Sequence, residues 1–252
     1  MNEYRLLKKY KKIISLVSCI CFCSMVFAPA VLAEEQKANP SAEPALTILE
    51  PVASGVTVLS NEKAVIDASN AKDGYIMAAY KTATEKKLKL RITGPDKVVY
   101  TYNLNQEGKY ETFPLSGGAG KYSIAVYENI SGSKYATAYS TTMTVMLTDE
   151  YAPYLRANQY VNYTADSEAV KKAAELVKDK NTALEKIAAV YHYTVTTLTY
   201  DKEKAKTVQS GYLPDVDTVL AEQKGICFDY AALMTGMLRS QNVPCKLVVG
   251  YA

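Results

Sequence analysis

Cys227 is the residue of this chain best placed to do chemistry. It stands in Gly225-Ile226-Cys227-Phe228-Asp229-Tyr230-Ala231, two residues after a glycine and where a helix is expected to begin. The first turn of a helix has N–H groups without intrahelical partners, and these favour an anion beside them. A thiolate is such an anion, so the position predicts a nucleophilic thiol. Cys227, Tyr230, Ala231, Met234 and Leu238 recur on one helical face, and Gln241-Asn242-Val243-Pro244 is a stop signal. That spacing predicts that the sulfur lies on the face packing inward. The competing reading is an inert buried cysteine that opens a core helix.

Few other residues offer partners. The single histidine, His192 in Val190-Tyr191-His192-Tyr193, precedes Cys227 and reads as a half-buried helix residue rather than a base. Asp229 lies on another side of the helix from Cys227 and is expected to serve local hydrogen bonding. Gln209 and Tyr212 are candidates to line the approach to the thiol. Cys19, Cys21 and Cys23 sit in an apolar run that offers a metal neither polar support nor fixed geometry, so no metal site and no cofactor are expected. Cys227 and Cys245 are the cysteines left outside that run, and a disulfide between them is one reading for a secreted protein.

The elements that must position Cys227 emerge from the chain as a whole. Its 252 residues, 48% apolar and 22% charged, suit one or two globular domains. A basic start, Arg5 to Lys12, precedes an apolar stretch from Ile13 to Ala33 that ends in small residues before Glu34-Glu35, the layout of a secretory signal peptide. An uncleaved membrane anchor and a lipidated Cys19 are the alternatives. Residues 1–33 hold five of the 29 basic and one of the 26 acidic residues, which leaves 24 against 25 in the mature part. That balance gives no argument for nucleic-acid binding.

Residues 34–44, rich in Ala, Glu, Lys and Pro, read as a linker. From 45 to 148, short β-type runs alternate with turn residues: Lys63–Asp67, Tyr75–Tyr80, Leu88–Ile92, Val98–Tyr102 and Tyr122–Tyr127. The pattern predicts an antiparallel sandwich. Leu88, Leu90 and Ile92 point to one face, Lys89 and Arg91 to the other. From 149 to 252 the texture turns helical. Helices are expected over Ser167–Lys178, over Thr182–Leu198 with an apolar stripe of Leu184, Ile187, Ala188, Tyr191, Val195 and Leu198, and over Asp217–Gln223. A strand is expected at Cys245–Tyr251.

The order of pieces after Ile187 resembles the core of the transglutaminase-like family. The matching residues are Tyr200-Asp201, Asp217-Thr218-Val219-Leu220, the run from Lys224 to Ala231, Met237-Leu238-Arg239, Val243-Pro244-Cys245 and Val249-Gly250-Tyr251-Ala252. The region ahead of them resembles bacterial Ig-like modules. Together these imply an N-terminal all-β Ig-like sandwich followed by the helical front part of an α+β papain-like transglutaminase core. The resemblance further implies a Cys-His-Asp triad in which Cys227 attacks an amide carbonyl to form a thioester. In the family the histidine and acid follow the cysteine, and here no histidine does. The expectation is therefore a secreted cysteine enzyme acting on extracellular or cell-wall proteins or peptides, represented by a fragment inactive on its own. The alternative is a cell-surface binding or structural module with a silent remnant.

Overall fold

A computed structural model describes residues 48–250. The expected signal peptide, the linker, the lipidation site and Tyr251-Ala252 lie outside these described residues.

Eight strands come first: β1 (Val58–Ser60), β2 (Ala64–Asp67), β3 (Tyr75–Tyr80), β4 (Leu88–Thr93), β5 (Val99–Leu104), β6 (Glu111–Pro114), β7 (Gly120–Ser131) and β8 (Lys134–Val145). They form two antiparallel four-stranded sheets, ordered β1-β2-β3-β6 and β5-β4-β7-β8. The alternation read from Leu88 to Ile92 holds, with Leu88, Leu90 and Ile92 buried and Arg91 exposed. These residues share one apolar cluster with Ile66, Ile76 and Phe113 of the other sheet. β1, β6 and β8 had no separate sequence signal. β1 and β6 are three and four residues long, too short for alternation to show.

Five α-helices follow: α1 (Glu168–Val177), α2 (Ala183–Thr197), α3 (Lys202–Thr207), α4 (Val216–Glu222) and α5 (Cys227–Ser240). α1 lies within the expected span, with Ser167 as the residue before its first turn. α2 starts with a capping box: Glu185 N–H donates to Thr182 Oγ1, and Glu185 Oε2 accepts from Thr182 N–H. α5 packs against α1, α2 and α4, and Ala232, Leu233 and Met237 fill a second apolar cluster with Val170, Val190 and Val219. The β region and the helices belong to one compact unit.

Two expectations change. The stripe on α2 is rotated: Leu184, Tyr191 and Val195 are exposed, whereas Val190 and Thr194 are buried and Ile187 is half-buried. Thr194 can turn inward because its hydroxyl donates to the Val190 carbonyl at 2.8 Å, so burial leaves no unpaired polar group. Residues 243–250 form no strand, because nothing among the described residues pairs with them in a ladder.

Candidate active site

The nucleophile loop is built by pieces far apart in sequence. A short parallel pair joins β9 (Thr199–Tyr200) to β10 (Lys224–Gly225), extended by Asp201 N–H donating to the Gly225 carbonyl at 2.8 Å. Asp201 also caps α3, its Oδ1 accepting from Glu203 and Lys204 N–H. The cap fixes the helix that carries Lys204. Two residues past Gly225, Cys227 occupies the first helical position of α5.

Asp229 locks this arrangement from below. It is fully buried, and its Oδ2 accepts from Ile226 N–H at 2.8 Å, the residue preceding α5. Its Oδ1 accepts from Tyr212 Oη–H at 2.6 Å, and Lys204 Nζ sits 2.8 Å from Oδ2. Lys204 Nζ also donates to Tyr212 Oη at 2.6 Å. A buried carboxylate is tolerable only when paired and hydrogen-bonded, and here both oxygens are used. On Lys204, desolvation pulls the ammonium pKa down, but the hydrogen bonds to Asp229 and Tyr212 outweigh it and the net shift is upward. Tyr212 is pushed up, first by burial and then by its bond to Asp229. Gly225 is required beside this network: a Cβ there would lie 2.5 Å from the Asp229 Cβ. The local hydrogen bonding expected of Asp229 is thus part of a three-element clamp.

Cys227 is exposed, not turned inward. The buried side of the first half of α5 is Asp229, Ala232 and Leu233, while Cys227 and Ala231 face out. The reason is the clamp: once Asp229 is drawn down to Lys204, a residue two positions earlier points well away from that side. The thiol opens on a groove of about 940 Å³ whose walls come from β4, β5, the Ser210–Leu213 loop and Leu247–Gly250. Phe228 lines it and meets Tyr160 edge-on at 5.7 Å and Tyr212 edge-on at 6.4 Å. Tyr160 in turn packs 5.2 Å from Tyr102 of the β region, so the start of α5 is braced by an aromatic series reaching the first core.

Of the predicted lining residues, Tyr212 borders the groove and Gln209 does not; its neighbours Ser210 and Gly211 do. His192 is exposed on α2 rather than half-buried, and it is not among the groove-lining residues. Cys245 is a free thiol, half-buried at 3.6 Å from Thr235 Oγ1, and forms no disulfide with Cys227. Among the described residues no cluster of three His, Cys, Asp or Glu side chains is arranged to hold a metal, and no helix is long and apolar enough to cross a membrane. Lys204 was missed by the sequence reading. The signal available was Asp201 as a helix cap three residues before it.

What the arrangement offers is one accessible thiol at a helix start, rigidly held, beside a groove wide enough for a large ligand. Residues 170–252 match the model of the Transglutaminase-like superfamily. This part of the chain therefore carries a transglutaminase-like domain, and Cys227 lies within it. No curated protein matches the chain. A solved structure described as a "putative protease" from Parabacteroides distasonis ATCC 8503 is similar at 13% identity with a TM-score of 0.28, covering 72% of this chain and 55% of its own. The chain thus spans about 55% of that protein's length.

Proposed function

We propose that the chain belongs to a secreted cysteine enzyme of acyl transfer or hydrolysis, with Cys227 as its nucleophile. The thiolate adds to the carbon of a carboxamide or peptide carbonyl, the C–S bond forms, and the C–N bond breaks as the amine leaves with a proton. An amine or water then attacks the thioester and releases the sulfur. The observation that carries this reading is the exposure of Cys227 at the first position of a helix otherwise largely buried. A purely structural cysteine would be expected inside, as Cys245 partly is.

No imidazole or carboxylate lines the groove among the described residues. A thiol without a neighbouring base is expected to turn over slowly, short of a factor of roughly 10² to 10⁴. That gap favours the second reading, a cell-surface module with a silent remnant. Incubation with an amine donor and a glutamine-bearing acceptor separates the two. Cys227-dependent incorporation, even if slow, supports the enzyme. Complete absence of it favours the silent module.

The β region, read as residues 45–148, is proposed to be an Ig-like sandwich. Supporting this, the Tyr122 hydroxyl at the start of β7 lies 2.9 and 2.8 Å from the Leu115 and Gly118 carbonyls, to which its one O–H can donate, and accepts from Gly117 N–H at 3.0 Å. A tyrosine near a strand start whose hydroxyl bonds back to upstream backbone is similar to the tyrosine corner of such folds. Export is proposed from the basic-then-apolar layout of residues 1–33, with anchoring through an uncleaved or lipidated N-terminus as the alternative. Extracellular or cell-wall proteins and peptides follow as the proposed substrates. Protease sensitivity of the protein on intact cells, compared with a variant lacking residues 1–33, tests the export.

A further inference from the structure

The groove has a second feature besides the thiol: one of its walls is an open sheet edge. β5 ends its sheet. In register, Asn103 faces Lys89 and Thr101 faces Arg91. Opposed residues in an antiparallel pair alternate between exchanging backbone hydrogen bonds and turning those groups away. The Asn103 carbonyl accepts from Gln159 Nε2, and Asn105 N–H donates to Glu111 Oε2 at 2.7 Å. The odd-numbered residues therefore turn their backbone groups outward. Thr101 has the same parity, and neither its N–H nor its carbonyl has a partner outside the ladder among the described residues.

Proteins normally blunt exposed edges, and here the blunting is selective. Side chains of Gln159 and Glu111 occupy the Asn103 carbonyl and the Asn105 N–H, while the outward groups of Thr101 and Val99 and the Asn103 N–H have no such partner among the described residues, and of these residues Thr101 and Asn103 line the groove. Thr101, Asn103 and Cys227 line the same groove. Its volume, about 940 Å³, is at the upper end for small-molecule sites and suits several residues of extended chain. Lys89 is its one charged lining side chain among the described residues.

We infer that β5 is the docking strand for substrate: an extended segment of the acyl-donor polypeptide pairs with the Thr101 N–H and carbonyl and is thereby laid along the groove with an amide carbonyl at Cys227 Sγ. This deepens the proposed function and rests on it for the role of Cys227. Backbone pairing supplies sequence-tolerant affinity, and alternate side chains of the segment face the groove or solvent. A small amide that cannot pair would react poorly even though it reaches the thiol.

The test uses an extended peptide of about six residues carrying a chloroacetamide in place of a side-chain amide. Its rate of labelling Cys227, located by mass spectrometry, is divided by that of iodoacetamide on the same protein. Of the backbone hydrogen-bonding groups Thr101→Pro removes only the outward donor, a change edge strands tolerate on the unpaired side. The expected result is a rate advantage for the peptide that falls about 10-fold in T101P, as for one lost hydrogen bond with its partner left unpaired. Backbone N-methylation on wild-type protein gives an independent arm. Methyl groups on residues of one parity abolish the advantage, and those of the other parity leave it. No peptide advantage, or equal loss with both parities, overturns the inference. Failure of iodoacetamide to label Cys227 counts instead against the nucleophile, and then fluorescence anisotropy of the same peptide without its electrophile decides the docking. Equal binding to wild type and T101P, or none, overturns it.

Discussion

Asp229→Ala is the perturbation that most directly probes how this chain holds its thiol. The carboxylate is fully buried and accepts from Ile226 N–H and Tyr212 Oη–H, with Lys204 beside it. A hydrogen bond to a charged group contributes about 1.5–3 kcal/mol, and breaking a buried ion pair by removing one partner costs about 3–5 kcal/mol. These do not add, because the wild type already bears the cost of desolvating the carboxylate. The Lys204 side chain is 28% exposed, so the orphaned ammonium can be reached by water and the cost lies at the low end, about 3 kcal/mol. Urea denaturation reads this as a midpoint lower by roughly 1–2 M for an ordinary dependence on denaturant. Lys204→Met should cost a similar amount alone, since it strands the carboxylate. The double variant should cost little more than either single one, a coupling of about 1.5–3 kcal/mol. A midpoint shift for D229A below about 0.3 M, or additive single and double variants, would refute the clamp.

Further expectations concern its surroundings. Gly225→Ala puts a Cβ 2.5 Å from that of Asp229 and should destabilise by about 1–3 kcal/mol in the same assay, as overpacking does. Tyr122→Phe leaves the Gly117 N–H without its acceptor and should cost about 1–3 kcal/mol while sparing Cys227 alkylation. Glu128 in β7 is held at a pKa of about 2, from 4.5, chiefly by its hydrogen bond to Lys63 and then by Tyr80. Its folded pKa is depressed, so its stabilisation is complete above about pH 5 and is lost as the pH falls toward 2. The full shift corresponds to at most about 3 kcal/mol, reduced because Lys63 and Lys86 are half-exposed. Glu128→Gln should flatten that acid limb, as followed by circular dichroism against pH.

Local chemistry explains what could be read in advance. The helix start at Thr182, the alternation across Leu88–Ile92 and the glycine before Cys227 are short-range signals, and each element formed where they stood. The inward face of α5 was misread because Cys227-Phe228-Asp229-Tyr230-Ala231-Ala232-Leu233-Met234 is apolar nearly all round, so periodicity cannot choose a side. On α2 the apolar stripe is clear, yet packing buried Val190 and Thr194 instead. Tertiary contacts outweigh a pattern whose polar members satisfy their own hydrogen bonds.

The sequence by itself determined that Cys227 begins a helix after a glycine, because helix starts and turns depend on neighbours a few residues away. Only the tertiary structure decided that the thiol faces out onto a groove, that Asp229 is the buried anchor, and that β5 presents an open edge beside it. Those outcomes depend on Lys204, Tyr212 and Gln159, which approach from distant points of the chain. Pairings between groups so far apart become visible only once burial demands a partner for every charge.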